Sequence, residues 1–446
     1  MTMGQSYPHI LLVCQSVQGH LNPSFQLANN LISAGARVTL ATTVSGFHKL
    51  KSLPPIHGLS FASFTDGHDD DNHAIWNPGY AYDIERFASE SIGTLVKTLS
   101  ENGNKVNLLV YTLYLPFAAD VARDLNVPSA LFLIQSATCF SIYNRFCNRG
   151  DGIVAVNNDI NTSVTLKLPG LPMFKWNDLP TFVLPTYPRF SDMCYVYQDH
   201  MNVLEEDSNA CVLVNTLDGL EPDSMKSIKN SIVVGPLVSS TFSDNKGSCF
   251  EWLDSKQENS VVYVSFGSLA VLTKTQKVEL LHGLMKTQRP FLLVLRDVGE
   301  VDEDVEIKQL KEKVSEYGLI VGWCAQLEVL KHSAIGCFVT HCGWNSTLES
   351  LAAGVAIVGC PQFSDQTTNA KMVEEVWGNG VRAFLDEEMV VKRDEIKRCL
   401  DVVMDGGERA KDIKKNVEKW RKVAEESVKD GGSLQTNLKL FLKNIS

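Results

Sequence analysis

The densest group of chemically active side chains lies between residues 323 and 366. An apolar strand is predicted at residues 337–340, followed by HCGWNS at residues 341–346 and by a helix predicted over residues 346–353. A glycine-bearing turn between a parallel strand and a helix N-terminus binds phosphate, because unpaired N–H groups and the positive end of the helix dipole face the ligand. The pattern therefore predicts a site for a phosphorylated ligand.

Side chains suited to the other parts of a nucleotide sugar flank this turn. Glu349 lies one helical turn further on the same side, where its carboxylate can accept both hydroxyls of a ribose. Trp323 offers a flat face for a base, and Asp365 and Gln366 can bond sugar hydroxyls. Side-chain donors for the phosphates are supplied by His341, Asn345 and Ser346.

A second candidate site lies near the N-terminus. Gln18-Gly19-His20 follows an apolar strand predicted over His9–Cys14, and residues 18–22 are predicted to form a loop before a helix that ends at Gly35. An imidazole at the carboxyl end of a parallel strand faces the crevice where a general base is wanted. His20 is therefore a candidate base.

The elements that position these residues repeat in the two halves of the chain. Strand, loop, helix and strand follow one another over residues 9–42 and again over residues 261–295. This order is a βαβ unit and implies a parallel sheet. The predicted fold class is α/β, with two Rossmann-like doubly wound parallel-sheet domains facing each other across a cleft.

Composition excludes several other classes of protein. Of 446 residues, 44% are hydrophobic and 21% charged, which rules out a disordered or fibrous chain. With 41 basic and 52 acidic residues the net charge is −11, so binding to nucleic acid is not expected. No apolar run approaches the roughly 20 residues of a membrane span, and no signal peptide is evident. The 11 cysteines contain no C-x-x-C pair and are interpreted as buried apolar residues of a cytoplasmic protein, which we expect to be a monomer.

The segment from Trp323 to Gln366 closely resembles the donor-binding signature of plant family 1 UDP-glycosyltransferases, which have the GT-B fold. QGHLNP at residues 18–23, SFGS at residues 265–268 and the chain length agree with this resemblance. It implies inverting transfer of glucose from UDP-glucose to a small lipophilic plant metabolite, through a phenolic hydroxyl or a carboxylate. UDP-glucose would be a co-substrate, with no cofactor and no metal.

The resemblance also implies roles for individual residues and a division into domains. Trp323 would stack on uracil, the Ala325 backbone would bond it, and Gln326 and Glu349 would bind ribose. The diphosphate would be held by Ser268, His341, Asn345 and Ser346, and the sugar by Trp344, Asp365 and Gln366. The expected domains are an acceptor-binding domain at 1–235, a linker at 236–249, a donor-binding domain at 250–430, and a C-terminal helix at 431–446 that packs back on the first domain.

By the same resemblance His20 would be the general base, but its usual partner is missing. The family carries an Asp after a strand of the N-terminal domain, and Thr112 occupies that position here. Asp120 lies two helical turns further on and is not expected to replace it. Thr112 can bond the imidazole but cannot stabilise an imidazolium as a carboxylate does.

The acceptor pocket and the metal question leave alternatives open. Aromatic residues suit a flat apolar acceptor but could equally form domain core; the candidates are Gln18, Phe117, Phe140, Tyr143 and Phe182. Acidic runs at residues 69–71 and 302–304 match the D-x-D pattern of metal-dependent sugar transferases, yet both lie in polar loops and are interpreted as solvated.

Two other functions remain open at this stage. A UDP-sugar epimerase could share the GT-B fold, and a catalytically silent UDP-sugar-binding protein would fit the missing Asp. A dinucleotide dehydrogenase is excluded, because no G-x-G-x-x-G follows a strand.

Overall fold

The chain folds into two compact units, each built on its own parallel sheet. A computed structural model describes residues 7–51, 53–69, 79–147, 165–168, 170–184, 191–238, 249–296 and 305–445. Unit 1 comprises the described parts of Met1–Leu237 and Glu426–Ser446, and unit 2 comprises those of Val238–Glu425. The predicted class of two doubly wound parallel-sheet α/β domains is confirmed.

Unit 1 contains nine strands and seven helices of the described chain before the C-terminal segment. The strands are β1 (His9–Cys14), β2 (Arg37–Thr43), β3 (Leu59–Phe64), β4 (Leu108–Thr112), β5 (Ser129–Leu133), β6 (Thr165–Lys167), β7 (Met173–Lys175), β8 (Cys211–Val214) and β9 (Ser231–Val233). The helices are α1 (Gln18–Ser33), α2 (Val44–Leu50), α3 (Tyr80–Glu101), α4 (Phe117–Asp124), α5 (Ala137–Cys147), α6 (Ser191–Glu206) and α7 (Pro222–Lys226). Seven strands form one parallel sheet in the order β3-β2-β1-β4-β5-β8-β9, and β6 pairs with β7 as a separate antiparallel ribbon.

Unit 2 repeats this architecture with six strands. The strands are β10 (Val261–Ser265), β11 (Phe291–Val294), β12 (Gly318–Val321), β13 (Ile335–Thr340), β14 (Ala356–Gly359) and β15 (Gly380–Arg382). The helices are α8 (Cys249–Asp254), α9 (Lys274–Thr287), α10 (Val305–Val314), α11 (Gln326–Leu330), α12 (Trp344–Ala353), α13 (Gln366–Lys371), α14 (Arg393–Met404) and α15 (Glu408–Val428). All neighbouring strands are parallel, in the order β12-β11-β10-β13-β14-β15.

The strand order reverses once near the middle of each sheet, and this reversal positions the candidate residues. In unit 1 it falls between β1 and β4, and in unit 2 between β10 and β13. Every residue of β1 and β10 is buried, as expected for strands covered on both faces by helices. Ligands of open α/β sheets bind beyond the carboxyl ends of the strands at such a reversal. The structure therefore directs attention to the residues that follow these four strands.

Residues 18–22 are helical, and the predicted loop there is wrong. They form the first turn of α1, where the N–H groups of His20 and Leu21 both lie 2.9 Å from the carbonyl oxygen of Val17. Gly19 suggested a loop, yet it lies in the first turn of α1, which also accommodates Pro23. His20 consequently projects from a helix, which holds a side chain more rigidly than a loop does.

The predicted linker at residues 236–249 is described only in part, whereas the C-terminal helix is described in full. Residues 239–248, most of that linker, lie outside the described residues. The last helix, α16 (Ser433–Lys443), belongs to unit 1 and contacts β9 and α1. It buries Leu434, Leu438 and Phe441, and Asn437 Nδ2 donates to the carbonyl of Val233 at 2.9 Å.

Candidate active site

His20 and Thr112 meet at the strand reversal of unit 1. His20 follows β1, Thr112 ends β4, and His20 Nδ1 lies 3.3 Å from Thr112 Oγ1, with both side chains buried. The Thr112 hydroxyl donates to the carbonyl of Leu113 at 3.4 Å, so its oxygen accepts from His20. This arrangement favours the imidazole tautomer with hydrogen on Nδ1 and leaves the lone pair on Nε2 to take a proton.

Burial, rather than a neighbouring charge, sets the electrostatics of His20. Burial lowers the pKa of His20 to about 3, so the imidazole is neutral at neutral pH. Among the described residues, none of the side chains bonded to His20 is a carboxylate. Asp120 on α4 is about half exposed and forms an ion pair with Arg123. The sequence prediction that Asp120 is not the missing partner agrees with this placement.

A tyrosine that sequence reasoning missed also faces His20. Tyr114 has φ 74°, a conformation that side-chain-bearing residues rarely adopt, and its ring centroid lies 5.2 Å from that of His20. The sequence carries no signal for this, because a positive φ at a non-glycine residue follows from tertiary packing.

The aromatic residues proposed for an acceptor pocket are buried side chains of unit 1. Tyr143 stacks on Tyr197 with ring centroids 3.7 Å apart, and Phe182 lies 6.4 Å from both rings. Phe117 and Phe140 are buried at the start of α4 and on α5. Gln18 begins α1 and is exposed. Such burial is typical of domain core, and the pocket assignment stays a prediction.

In unit 2 the residues proposed for the nucleoside surround the start of α11. Trp323 is 43% exposed, an unusual exposure for an indole and one that leaves a face accessible for stacking. Ala325 is the N-cap residue of α11, and Gln326 is its first residue. The exposed ring and the helix start therefore lie side by side in the chain.

Gln326 joins the two helices of this site through its amide. Its Nε2 donates to Ser346 Oγ at 2.9 Å and to Glu349 Oε2 at 2.6 Å, both on α12. Glu349 is only 8% exposed, and burial raises its pKa to about 7 although the bond from Gln326 opposes this. Hydrogen bonds thus bring together the three residues assigned to ribose and phosphate.

The phosphate turn is shaped around His341, which follows β13. Gly267 and Gly343 pack against its ring, and a Cβ atom at either position would come within 2.6 or 2.5 Å of an imidazole atom. Burial, and then the charge of Arg296, lower the pKa of His341 to about 4. His341 therefore serves the turn as a neutral donor or acceptor, beside the N-terminus of the ten-residue α12.

Arg296 also stabilises this turn, and sequence reasoning missed it. Its guanidinium donates to the carbonyl oxygens of Gly267 at 2.5 Å and Ser268 at 2.6 Å, which orients the SFGS segment. The sequence did indicate a polar residue here, because Arg296 follows β11 and so lies at the edge of the parallel sheet where the other strands also end.

Of the residues assigned to the sugar, Asp365 and Gln366 lie beyond β14, and Trp344 begins α12. Burial raises the pKa of Asp365 to about 6, and Asn369 Nδ2 donates both to its Oδ2 at 2.8 Å and to the carbonyl of Cys342 at 3.0 Å. Gln366 Oε1 accepts the backbone N–H groups of residues 362 and 363 at 2.9 and 3.1 Å. Gln366 can therefore offer a ligand its amide nitrogen rather than its oxygen. Trp344 is 4% exposed and lies with its ring 5.8 Å from that of Trp377.

Two general features of the described chain bear on the site. No group of three or more His, Cys, Asp or Glu side chains within the described ranges is placed to hold a metal ion, whereas residues 70–71 and 302–304 of the acidic runs lie outside those ranges. No helix in the described part of the chain is long and apolar enough to cross a membrane.

Comparison with known proteins assigns the family. Residues 212–423 match the family model described as UDP-glucoronosyl and UDP-glucosyl transferase. The chain is 41% identical to UDP-glycosyltransferase 75C1 of Solanum lycopersicum, over 98% of this chain and 99% of that one. It is also 41% identical to phloretin 4'-O-glucosyltransferase of Malus domestica, over 98% and 97% of the two chains.

Solved structures agree with this assignment. Os79 from O. sativa, in complex with UDP, is 34% identical to this chain and superposes on it with a TM-score of 0.85. The match covers 98% of this chain and 100% of Os79. Two doubly wound units with a phosphate-type turn in the second define a GT-B sugar-nucleotide-dependent transferase. The chain belongs to the UDP-glycosyltransferase family of plants.

Proposed function

We propose that this enzyme transfers glucose from UDP-glucose to a hydroxyl or carboxyl group of a small lipophilic plant metabolite, with inversion and with His20 as general base. The contact between His20 and Thr112 at the reversal of the unit 1 sheet carries the proposal. It fixes the tautomer whose Nε2 can accept a proton, and burial keeps that nitrogen unprotonated at neutral pH.

In the proposed reaction the acceptor oxygen forms a bond to the anomeric carbon as the bond from that carbon to UDP breaks. Attack from the face opposite UDP gives a β-glucoside, and the acceptor proton passes to His20 Nε2. The charge that develops on UDP is met by the N–H groups at the start of α12, with His341, Asn345, Ser346 and Ser268 as side-chain partners.

Acidic acceptors suit this base best. A base with a lowered pKa and no carboxylate partner gives little help to an acceptor that holds its proton tightly. A carboxylic acid, with a pKa of about 4, is already ionised at neutral pH, and an acidic phenol comes next. Relatives are named for O-glucosylation of phloretin and of anthocyanidin 3-O-glucosides, which supports acceptors that react through oxygen.

Glucose suits the sugar site better than glucuronate. No Lys or Arg occurs between Trp344 and Ala370 to pair with a uronate carboxylate. The nearest cations in the sequence are engaged elsewhere, because Lys371 lies 2.7 Å from Glu375 and Arg382 lies 3.7 Å from the same side chain. A buried carboxylate without a counter-charge is costly.

The reaction is proposed to need no metal, since the helix N-terminus can stabilise the charge on the leaving diphosphate and His341 can donate a hydrogen bond to it. The test is activity in the presence of EDTA, compared with activity after Mg²⁺ or Mn²⁺ is added. Unchanged turnover is expected, whereas turnover that depends on either ion would contradict this part of the proposal.

The function itself is tested by incubating the protein with UDP-glucose and matched acids, phenols and aliphatic alcohols, and analysing products by mass spectrometry and NMR. A β-glucoside or glucose ester supports the proposal. A changed sugar nucleotide without transfer would favour the epimerase alternative, and binding of UDP-glucose without turnover would favour the silent binding protein.

A further inference from the structure

Tyr263 lies beneath the residues assigned to the nucleoside and has no role in the proposed reaction. It belongs to β10, is 1% exposed, and stacks on Phe338 of β13 with ring centroids 4.9 Å apart. A buried tyrosine in an apolar strand needs a partner for its hydroxyl. That partner is Gln326, whose Oε1 accepts from Tyr263 Oη at 3.2 Å.

The hydroxyl of Tyr263 makes a second contact, with Cys324 Sγ at 3.2 Å. Burial raises the pKa of Cys324 to about 12, so this thiol keeps its hydrogen and can donate to the tyrosine oxygen. Since Tyr263 has a single hydroxyl hydrogen, that hydrogen remains for Gln326. The two bonds hold the residues on either side of Ala325.

The orientation of the Gln326 amide follows from its three partners. Its oxygen accepts from Tyr263, and its nitrogen donates to Ser346 and Glu349. A flipped amide would set its oxygen against the ionised Glu349 carboxylate, so the contact with Glu349 selects this orientation, in which the amide oxygen accepts from Tyr263.

We propose that Tyr263 is a positioning residue for donor binding, which fixes the Gln326 amide so that Gln326 and Glu349 present the groups that bind the ribose hydroxyls. The inference rests on the proposed function, because it assigns the ribose of UDP-glucose to this pair. Tyr263 itself lies beneath the pair and acts through Gln326.

The test compares the affinities of UDP and 2′-deoxy-UDP, measured by calorimetry on the full-length protein. Tyr263→Phe removes one hydroxyl and keeps the ring. We expect it to weaken UDP binding by about 3–15-fold, the usual effect of a lost buried hydrogen bond, and to weaken binding of 2′-deoxy-UDP, which keeps only the 3′-hydroxyl, by a smaller factor. The KM for the acceptor should not change.

A matched control separates the hydroxyl from the packing of the ring. Phe338→Leu weakens the stack but leaves the hydroxyl in place, so it should lower the melting temperature without changing the ratio of the two affinities. If Phe338→Leu changes that ratio as much as Tyr263→Phe does, packing is responsible and the inference is overturned.

Gln326→Met breaks the same chain of hydrogen bonds from its partly exposed end, where folding is less at risk, and should reproduce the selective loss of UDP affinity. An equal loss for both ligands, or no loss in either variant, overturns the inference alone. A wild-type protein that binds UDP but does not distinguish it from 2′-deoxy-UDP also overturns the inference alone. A wild-type protein that binds no UDP refutes the proposed function and the inference with it.

Discussion

The donor site of unit 2 and the base site of unit 1 differ in how their polar groups are connected. Gln326 alone bonds Tyr263, Ser346 and Glu349, so hydrogen bonds orient the donor side chains. Among the described residues, the imidazole of His20 has one hydrogen-bond contact, to Thr112, and its neutral state comes from burial. Orientation is thus built into the donor site by hydrogen bonds, whereas the base is held by its helix and by packing. Binding should therefore be robust, and proton transfer should depend strongly on the acceptor.

Loss of the base should have the largest effect. His20→Ala should reduce glucosyl transfer to a phenol by about 10²–10⁴-fold, the usual contribution of a positioned base. The dissociation constant for UDP should change little, because every proposed donor ligand lies in unit 2. Turnover and UDP affinity are measured separately, by steady-state kinetics and calorimetry.

His200→Phe is the matched control for this variant. His200 is another buried histidine of unit 1 whose pKa burial lowers to about 3, and it has no proposed role in the reaction. Its replacement should leave turnover unchanged at neutral pH. If His20→Ala turns over the phenol at nearly the wild-type rate, His20 is not the general base.

The next largest effect should come from Glu349, whose burial makes donor affinity depend on pH. A carboxylate accepts the ribose hydroxyls, and the pKa of about 7 means that part of the empty protein carries a neutral carboxyl group at neutral pH. UDP should therefore bind about tenfold more tightly at pH 8 than at pH 6 through this group. Glu349→Gln should weaken binding at pH 8 by about 10–100-fold.

Glu349→Gln also supplies the control, because it keeps the titration of UDP itself and removes only that of the carboxyl group. The sign for stability is opposite to that for binding. Since the folded pKa of Glu349 lies above its usual value of 4.5, its contribution to stability falls as the pH rises from about 4.5 to about 7 and is constant above that. The empty variant should melt at a higher temperature than wild type at pH 8. Identical pH profiles for UDP binding in the two proteins would exclude Glu349 as the titrating group.

The same comparison explains what could be predicted from sequence. Except for Ser268, the proposed donor residues occupy one stretch of 44 residues, so local pattern and family resemblance were enough to propose them. The two doubly wound sheets were likewise predictable from the repeated strand–helix–strand order. The contact of His20 with Thr112 joins residues 92 apart and was reached only through the family pattern.

What could not be predicted depends on contacts that sequence pattern does not encode. Residues 18–22 contain Gly19 and precede Pro23, yet they form the first turn of α1. The bond from Tyr263 to Gln326 spans 63 residues, and the positive φ of Tyr114 follows from its surroundings. Gln366 was assigned wholly to the sugar, although its oxygen is bonded to the backbone of its own loop.

A smaller effect, on stability, tests whether burial alone can neutralise a histidine in unit 1. Neither ring nitrogen of His200 has a hydrogen-bond partner among the described residues, and its ring stacks on Tyr111 with centroids 5.9 Å apart. Its folded pKa of about 3 lies below the usual value of 6.5, so its contribution to stability is complete above pH 6.5 and falls at lower pH, where the unfolded chain takes up a proton.

His200→Phe should remove this sensitivity to acid. Between pH 8 and pH 5 the free energy of unfolding of the variant, relative to that of wild type, should rise by about 2 kcal/mol. Each pH unit below 6.5 contributes about 1.4 kcal/mol to this difference. Denaturant unfolding of both proteins at the two pH values provides the measurement. Any cost of fitting the larger phenyl ring is the same at both pH values and cancels. If the difference in unfolding free energy between the two proteins does not change with pH, His200 is not held neutral by burial.

The smallest effect we predict concerns Thr112, where a carboxylate would make the base site resemble the donor site. Thr112→Asp places a carboxyl group where Oγ1 now lies 3.3 Å from His20 Nδ1, and there it would stabilise the imidazolium that forms during proton transfer. An aliphatic alcohol needs that proton transfer, whereas a carboxylic acid is already ionised, so the ratio of alcohol to acid turnover should rise by about 3–10-fold. The gain is limited because position 112 is fully buried, which raises the pKa of the new carboxyl group and opposes its ionisation.

Thr112→Val, of similar shape but without a hydrogen-bonding group, should shift the same ratio in the opposite direction. The measurement is the turnover of a matched alcohol and acid by the three proteins, and a ratio that does not change with Asp or Val would mean that Thr112 has no influence on the basicity of His20.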